Sequence, residues 1–240
     1  MKIVTIASLK GGCGKTSTAL FLAEALAHTG HRVILIDADP NNNATDYLAR
    51  DETPEAIEAR SLYHALAGRR ELADCIISSS FGLGLIPGTP SLASASIELS
   101  SDPGVSLRFP MDVKALDADF VIIDTTPALT LEMRLAVYAA DVVLVPVGLS
   151  RWTLQGYEII ANEVLKAERS TGRNRELLAL PSIVTEREAA QLRAIPKWKS
   201  TETAILKLAA IRNATNAAKP LKANTGAWEM FWKLAEEVAI

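Results

Sequence analysis

Residues 3 to 18, Ile3-Val4-Thr5-Ile6-Ala7-Ser8-Leu9-Lys10-Gly11-Gly12-Cys13-Gly14-Lys15-Thr16-Ser17-Thr18, constrain this chain more than any other stretch. A β-branched, apolar run feeds a glycine-rich turn, and the turn ends in Gly-Lys-Thr where an alanine- and leucine-rich helical pattern begins. Glycines at 11, 12 and 14 let the backbone take conformations that a Cβ disfavours, so several N–H groups can converge on one small anion. A helix starting near Lys15 adds its unpaired N–H groups and the positive end of its dipole. The order is strand, phosphate-binding loop, helix. Residues Lys10, Gly11, Gly12, Cys13, Gly14, Lys15, Thr16 and Ser17 then form a nucleotide site, with Lys15 along the β- and γ-phosphates and the Thr16 hydroxyl on Mg²⁺.

Leu9 departs from the general pattern Gly-x-x-x-x-Gly-Lys-Ser/Thr, which has glycine there, and a second lysine, Lys10, lies inside the loop. The form Lys10-Gly11-Gly12-Cys13-Gly14-Lys15-Thr16 resembles the deviant Walker A box of the ParA/MinD family of ATPases. In that family the extra lysine reaches across a nucleotide-sandwich dimer to the partner subunit's phosphates. The resemblance therefore implies that Lys10 is a catalytic cation supplied in trans, and that the protein forms a homodimer on ATP.

At 240 residues the chain suits one large α/β domain spanning 1–240. With 49% hydrophobic and 22% charged residues it reads as soluble and globular. A strand begins within a residue or two of Met1, which leaves no room for a secretion signal, and no apolar run approaches the roughly 20 residues of a membrane helix. Cys13 and Cys75 give neither a disulfide framework nor a metal-ligand spacing, so a reducing cytosol is the expected location. The net charge of −3 is unevenly spread: residues 1–165 carry 12 Lys and Arg against 20 Asp and Glu, whereas 166–233 carry 13 against 6. A basic C-terminal third is either a solvated face or a nucleic-acid surface.

Residues 16–29 read as a helix ended by Gly30, with Phe21, Leu22, Ala25 and Leu26 as its core-facing stripe. Arg32 to Asp37 is a continuous apolar strand of the kind buried on both faces of a parallel sheet. Because a βαβ unit is right-handed, the carboxyl ends of both strands share an edge with the loop, and Asp37 and Asp39 point toward the nucleotide. Further on, short helices interrupted by the loop Asp51 to Glu55 are expected over 43–70, and Leu83 to Gly88 reads as a strand ending in a turn. The serine-rich stretch 91–109, with its Asp102-Pro103-Gly104 turn signal, is the least regular. Asp119 to Asp124 is an apolar strand closed by an aspartate, a pattern common on its own; 110 residues after a phosphate loop it reads as a carboxylate holding a Mg²⁺-bound water. Thr125-Thr126-Pro127 follows as the expected γ-phosphate switch. Asp141 to Val147 is another buried strand, leading to a helix over 152–169 that ends at Gly172. Leu177 to Thr185 is the next strand, with Pro181 arguing for a bulge or an edge position. A short strand at Thr203 to Leu206 and a final helix with Trp228, Phe231, Trp232, Ala235 and Val238 on one face complete the pattern.

Strands alternating with helices, with acidic and glycine-rich motifs at strand ends, predict an α/β, doubly wound, mostly parallel sheet with helices on both faces. The resemblance names this a P-loop NTPase fold of the SIMIBI-like class, closest to small ParA-type partition ATPases, and it extends through Asp37-Ala38-Asp39-Pro40 and Asn43-Ala44-Thr45. By that match the cofactors are ATP and Mg²⁺, Asp39 positions the attacking water, and Asp37 and Asp124 help hold Mg²⁺ through water. Asn41 stands where the family usually has glutamine, and Thr185 where it commonly has an asparagine near the adenine. The family uses such a cycle in two ways. A ParA-like protein binds DNA nonspecifically as the ATP dimer, associates with the nucleoid in the cytoplasm, and is released when a ParB-like adaptor or cargo protein stimulates hydrolysis. A MinD-like protein cycles on membranes, which asks for a basic interfacial helix; here Glu229, Glu236 and Glu237 accompany Lys233 on the last helix. The charge asymmetry favours DNA, with Arg187, Arg193, Lys197, Lys199 and Arg212 as candidate phosphate contacts. An iron-protein-like reductase would need cluster cysteines that this sequence lacks.

Overall fold

The computed structural model describes residues 1–99 and 101–240. Its first half runs β1 (Lys2–Ile6), α1 (Lys15–His28), β2 (Val33–Ala38), α2 (Asn43–Leu48), α3 (Pro54–Glu58), α4 (Leu62–Leu66), a 3-10 turn at Leu72–Cys75, β3 (Ile77–Ser78), β4 (Gly84–Ile86), α5 (Leu92–Glu98) and α6 (Pro103–Lys114). The second runs β5 (Phe120–Thr125), α7 (Leu131–Ala139), β6 (Val142–Val147), α8 (Arg151–Thr171), β7 (Glu176–Val184), α9 (Glu186–Arg193), β8 (Ile205–Leu206), α10 (Ala209–Ala217) and α11 (Gly226–Ala239).

The strands form one sheet in the order β3-β4-β2-β5-β1-β6-β7-β8, parallel throughout except for the antiparallel pair β3 and β4. Alternate side chains serve opposite faces, as the pleat requires. Phe120 and Ile122 of β5 join Val4, Leu35 and Leu144 in the core under α1 and α11, while Val121 and Ile123 join Ile3 and Ile36 in the core under α4 to α7. Burial on both sides is why these strands read as unbroken apolar runs. Register brings Ile6 level with Asp124 and Asp124 level with Asp37, so the carboxyl ends of β1, β2 and β5 form a single ledge.

Three details differ from the sequence-based expectation, and a fourth decides between alternatives it left open. Helix α1 is buried from Ala19 to Leu26 rather than along a stripe, because α11 packs against it, with the Phe21 and Phe231 rings 5.3 Å apart. The stretch predicted to be least regular contains α5 and α6. Asp102 caps α6 by accepting from the Gly104 N–H, Pro103 occupies the first turn, and Val105, Phe109 and Val113 form its buried face. A turn tripeptide is thus a helix start. Likewise Pro54 opens α3, capped by Thr53, instead of breaking a helix. Finally, β7 is not an edge strand. Of the two expected alternatives it is the bulge that is present, just beyond Pro181 between Ser182 and Val184, where Ile183 takes a φ of 57°.

Candidate nucleotide site

The glycine turn sits on the ledge between β1 and α1. Gly12 and Gly14 take φ values of 70° and 88°, the left-handed region that a Cβ penalises. Gly14 is fixed twice over, since a Cβ there would lie 2.9 Å from Ser182 Oγ and 3.4 Å from Ile183 Cδ1. Ser182 Oγ donates to the Cys13 carbonyl at 2.9 Å, so the end of β7 clamps the loop from outside. The buried Lys15 bends back over the turn and donates from Nζ to the Lys10 carbonyl at 3.2 Å. Lys10 itself is exposed, and its Nζ lies 3.4 Å from the Oγ of Ser150, the N-cap of α8. The two lysines therefore point to different places.

Below the loop lie three aspartates. Asp37 is fully buried: its Oδ2 accepts from the Thr45 N–H and hydroxyl, each at 2.8 Å, and its Oδ1 accepts from the Asp39 N–H at 3.2 Å. Asp39 accepts at Oδ1 from the Asn41 N–H at 2.9 Å and from Asn41 Nδ2 at 3.0 Å, a role open to asparagine at this position. Asn42 then turns the chain into α2 with a φ of 49°, which asparagine tolerates. Asp124 is fully buried and neither carboxylate oxygen has a hydrogen-bond partner among the described residues. Burial pushes its carboxyl above the usual range and the charge of Asp37 adds to this, while the Thr16 hydroxyl and the Lys15 ammonium pull it back. Burial raises Asp37 too, against its bonds from Thr45 and Asp39.

A buried carboxylate with open lone pairs beside a helix-start threonine is costly unless a cation or its waters complete it. The residues present therefore fit a hydrated Mg²⁺: Thr16 as direct ligand and Asp124 through water, with oxygen donors of the kind magnesium prefers. Asp37 is more heavily committed, because its oxygens already hold α2.

Of the switch residues, Thr125 donates its hydroxyl to the Ile6 carbonyl at 2.8 Å, locking β5 to β1, and Thr126 is buried beside it. Thr185 caps α9 in a reciprocal box with Glu188. The basic candidates separate into two groups. Arg193 spends its guanidinium on the carbonyls of Thr201 and Glu202, at 3.2 and 2.6 Å, and Lys199 pairs with Glu176. Arg187, Lys197 and Arg212 are exposed, without a hydrogen-bond or ion-pair partner among the described residues.

Sequence reasoning passed over Ser182, Ser150 and Gly88. A Cβ on Gly88 would lie 2.6 Å from the Asp37 carbonyl oxygen and 2.8 Å from that of Asp39, and its N–H donates to Thr45 Oγ1 at 3.0 Å. A glycine closing the predicted strand and turn Leu83 to Gly88 was the available signal; for Ser182, 169 residues from Cys13, there was none.

Comparison with known proteins places the chain in a family. Residues 1–178 match a family model described as an AAA domain. The sporulation initiation inhibitor protein Soj of Bacillus subtilis is 30% identical, over 99% of this chain and 98% of its own length. The chain belongs to the ParA/MinD family of partition ATPases. Within that family, the chromosome partitioning protein ParA of Caulobacter vibrioides is 35% identical over 65% of this ParA/MinD-type chain and 59% of that protein. Apo McdA from Cyanothece superposes with a TM-score of 0.85 at 27% identity, covering 99% of both chains. A putative plasmid partition protein from Borrelia burgdorferi, bound to AMPPNP, superposes at 0.82 over 98% and 97% of the two chains; at 22% identity this is a likeness of fold.

Proposed function

We propose that this protein is a Mg²⁺-dependent ATPase that closes into a homodimer on ATP, binds DNA without sequence preference in that state, and leaves it when a ParB-like adaptor or cargo protein stimulates hydrolysis. The observation that carries the reading is the divergence of the two loop lysines, Lys15 folded into the loop and Lys10 exposed at its mouth against Ser150. A cation so placed is available to a second subunit.

Hydrolysis of a nucleoside triphosphate depends mostly on positioning and on neutralising charge. Lys15 and the loop N–H groups from Gly11 to Ser17 grip the phosphates. Thr16, with Asp124 and Asp37 behind it, holds Mg²⁺, which supplies charge at the phosphate oxygens when bound. Asp39, oriented by Asn41, accepts a hydrogen bond from the attacking water. The partner subunit's Lys10 completes the cage, so turnover is slow in the monomer. For DNA, the free cations Arg187, Lys197 and Arg212 are better placed than Arg193 and Lys199, which have intramolecular work. Against a membrane-cycling role, the apolar face of α11 is occupied: Phe231, Leu234, Ala235 and Val238 are buried, and Trp228 and Trp232 pack edge-on against His28.

Co-sedimentation of ATP-loaded and ADP-loaded protein with nonspecific duplex DNA, and in parallel with anionic liposomes, tests this. Salt-sensitive DNA binding confined to the ATP form is expected; ATP-dependent liposome binding without DNA binding would overturn the reading.

A further inference from the structure

Glu24 of α1, Tyr47 of α2 and the main chain at Lys219 meet in the interior, where α1, α2 and the chain after α10 come together. The Tyr47 hydroxyl lies 2.8 Å from Glu24 Oε1 and 2.8 Å from the Lys219 carbonyl oxygen. A phenol has one proton to donate, so an ionised Glu24 would leave one of two acceptors unsatisfied. With Glu24 protonated the chain closes: Glu24 donates to Tyr47 and Tyr47 donates to Lys219. Burial lifts the Glu24 carboxyl to about 7, against the opposing pull of the Tyr47 bond.

What the chain holds is a basic segment whose apolar anchors are Ile211 and Leu221, with Ala214 and Ala218 packed against the same core. Along α10 only Ile211 is buried, while Lys207, Arg212, Lys219 and Lys222 are all exposed. Besides the Lys207 N–H bond to the Val184 carbonyl at 3.0 Å, this segment has two polar ties that lead to the nucleotide site. Thr215 Oγ1 lies 3.1 Å from Ser17 Oγ, next to Thr16 at the start of α1. The second tie, to Tyr47, leads into α2, whose first turn hangs on Asp37 through Thr45 and on the Asp39 carbonyl through the Asn42 N–H. Tyr47 is itself rigidly seated, stacked on Phe81 at 5.0 Å and edge-on to Phe21 at 6.1 Å. A shift of the Asp37–Asp39 turn therefore moves the anchor point of Lys219.

We propose that Tyr47 is a positioning residue that transmits the nucleotide state from the Asp37–Asp39 turn to the segment 207–222, setting Lys207, Arg212, Lys219 and Lys222 as the polyanion-binding surface. The choice of DNA as the polyanion rests on the function proposed above; the link itself does not.

The test combines amide hydrogen exchange across 217–223 with DNA co-sedimentation, for wild type, Tyr47→Phe and Glu24→Gln, each with Mg-ATP and Mg-ADP. In wild type, exchange across 217–223 should differ at least about fivefold between the two nucleotides, the low end of ordinary coupling between sites. Tyr47→Phe should lose that difference and at least about fivefold of the ATP-over-ADP preference for DNA, while keeping basal ATP hydrolysis. Glu24→Gln, whose amide can donate to Tyr47 in place of the carboxyl proton, should keep both responses. A Tyr47→Phe protein with the full response, or a wild-type segment indifferent to nucleotide, would overturn the link. Wild-type protein whose segment responds but which binds no DNA would support the link and overturn the DNA reading.

Discussion

Asp37 and Asp124 stand level on neighbouring parallel strands, both out of contact with solvent, yet among the described residues Asp37 accepts three hydrogen bonds and Asp124 accepts none. On the function proposed above, the pair divides structural and ligand-binding work between two identical side chains. Asp37 holds the turn and α2 in place. Asp124 has its lone pairs free beside Thr16.

That division predicts opposite phenotypes. Asp37→Ala strands the Thr45 and Asp39 donors and should cost about 2–4 kcal/mol of stability with or without nucleotide. Asp124→Asn should unfold within about 1 kcal/mol of wild type when free, since neither carboxylate oxygen has a hydrogen-bond partner among the described residues, but should lose the stabilisation given by Mg-ATP. In wild type that gain is about 2.7 kcal/mol at a hundredfold excess over Kd. Thermal unfolding of both variants with and without Mg-ATP distinguishes the roles.

Glu24 makes a pH prediction. Its folded pKa of about 7 lies above the ordinary 4.5. Between those values the folded state holds more protons than the unfolded one, so this group's contribution is complete below about pH 4.5 and is lost as pH rises through 7. The loss is on the order of 3 kcal/mol at one pKa unit per 1.36 kcal/mol. The Arg50 guanidinium near Tyr47 is common to both proteins. Glu24→Gln should thus match wild type near pH 5 and exceed it at pH 8 in urea unfolding. Equal stability differences at the two pH values would contradict a buried, proton-bearing Glu24.

Gly88 is tied to the same turn. An alanine Cβ there would meet two backbone carbonyl oxygens, those of Asp37 and Asp39, and neither can swing away as a side chain would. Gly88→Ala should cost about 1–3 kcal/mol and weaken ATP hydrolysis more than ATP binding, because it displaces Asp39 and leaves Lys15 alone. Steady-state turnover beside equilibrium nucleotide titration measures the split.

The elements that carry the site were legible because their physics is local. β1, β2, β5 and β6 are covered on both faces and so appear as unbroken apolar runs, and the glycines of the loop stand where positive φ is required. The two-residue β3 has too little sequence to show a period, and Asp102-Pro103-Gly104 suits a turn as well as a capped helix start. Long-range partnerships left no trace at all: Ser182 with Cys13, Tyr47 with Lys219, Thr215 with Ser17. Charge counting marked the C-terminal third as basic but could not tell Arg193, committed to two carbonyls, from Arg212, which has no partner among the described residues.

The central claim is that Lys10 serves a second subunit while Lys15 serves its own. Sedimentation velocity of wild type, Lys15→Ala and Lys10→Ala, each with Mg-ATP in excess and with nucleotide occupancy measured on the same samples, addresses it directly. The account predicts a dimer for wild type, neither nucleotide nor dimer for Lys15→Ala, and a nucleotide-bound monomer for Lys10→Ala. A Lys10→Ala protein that dimerises on ATP as readily as wild type would contradict it.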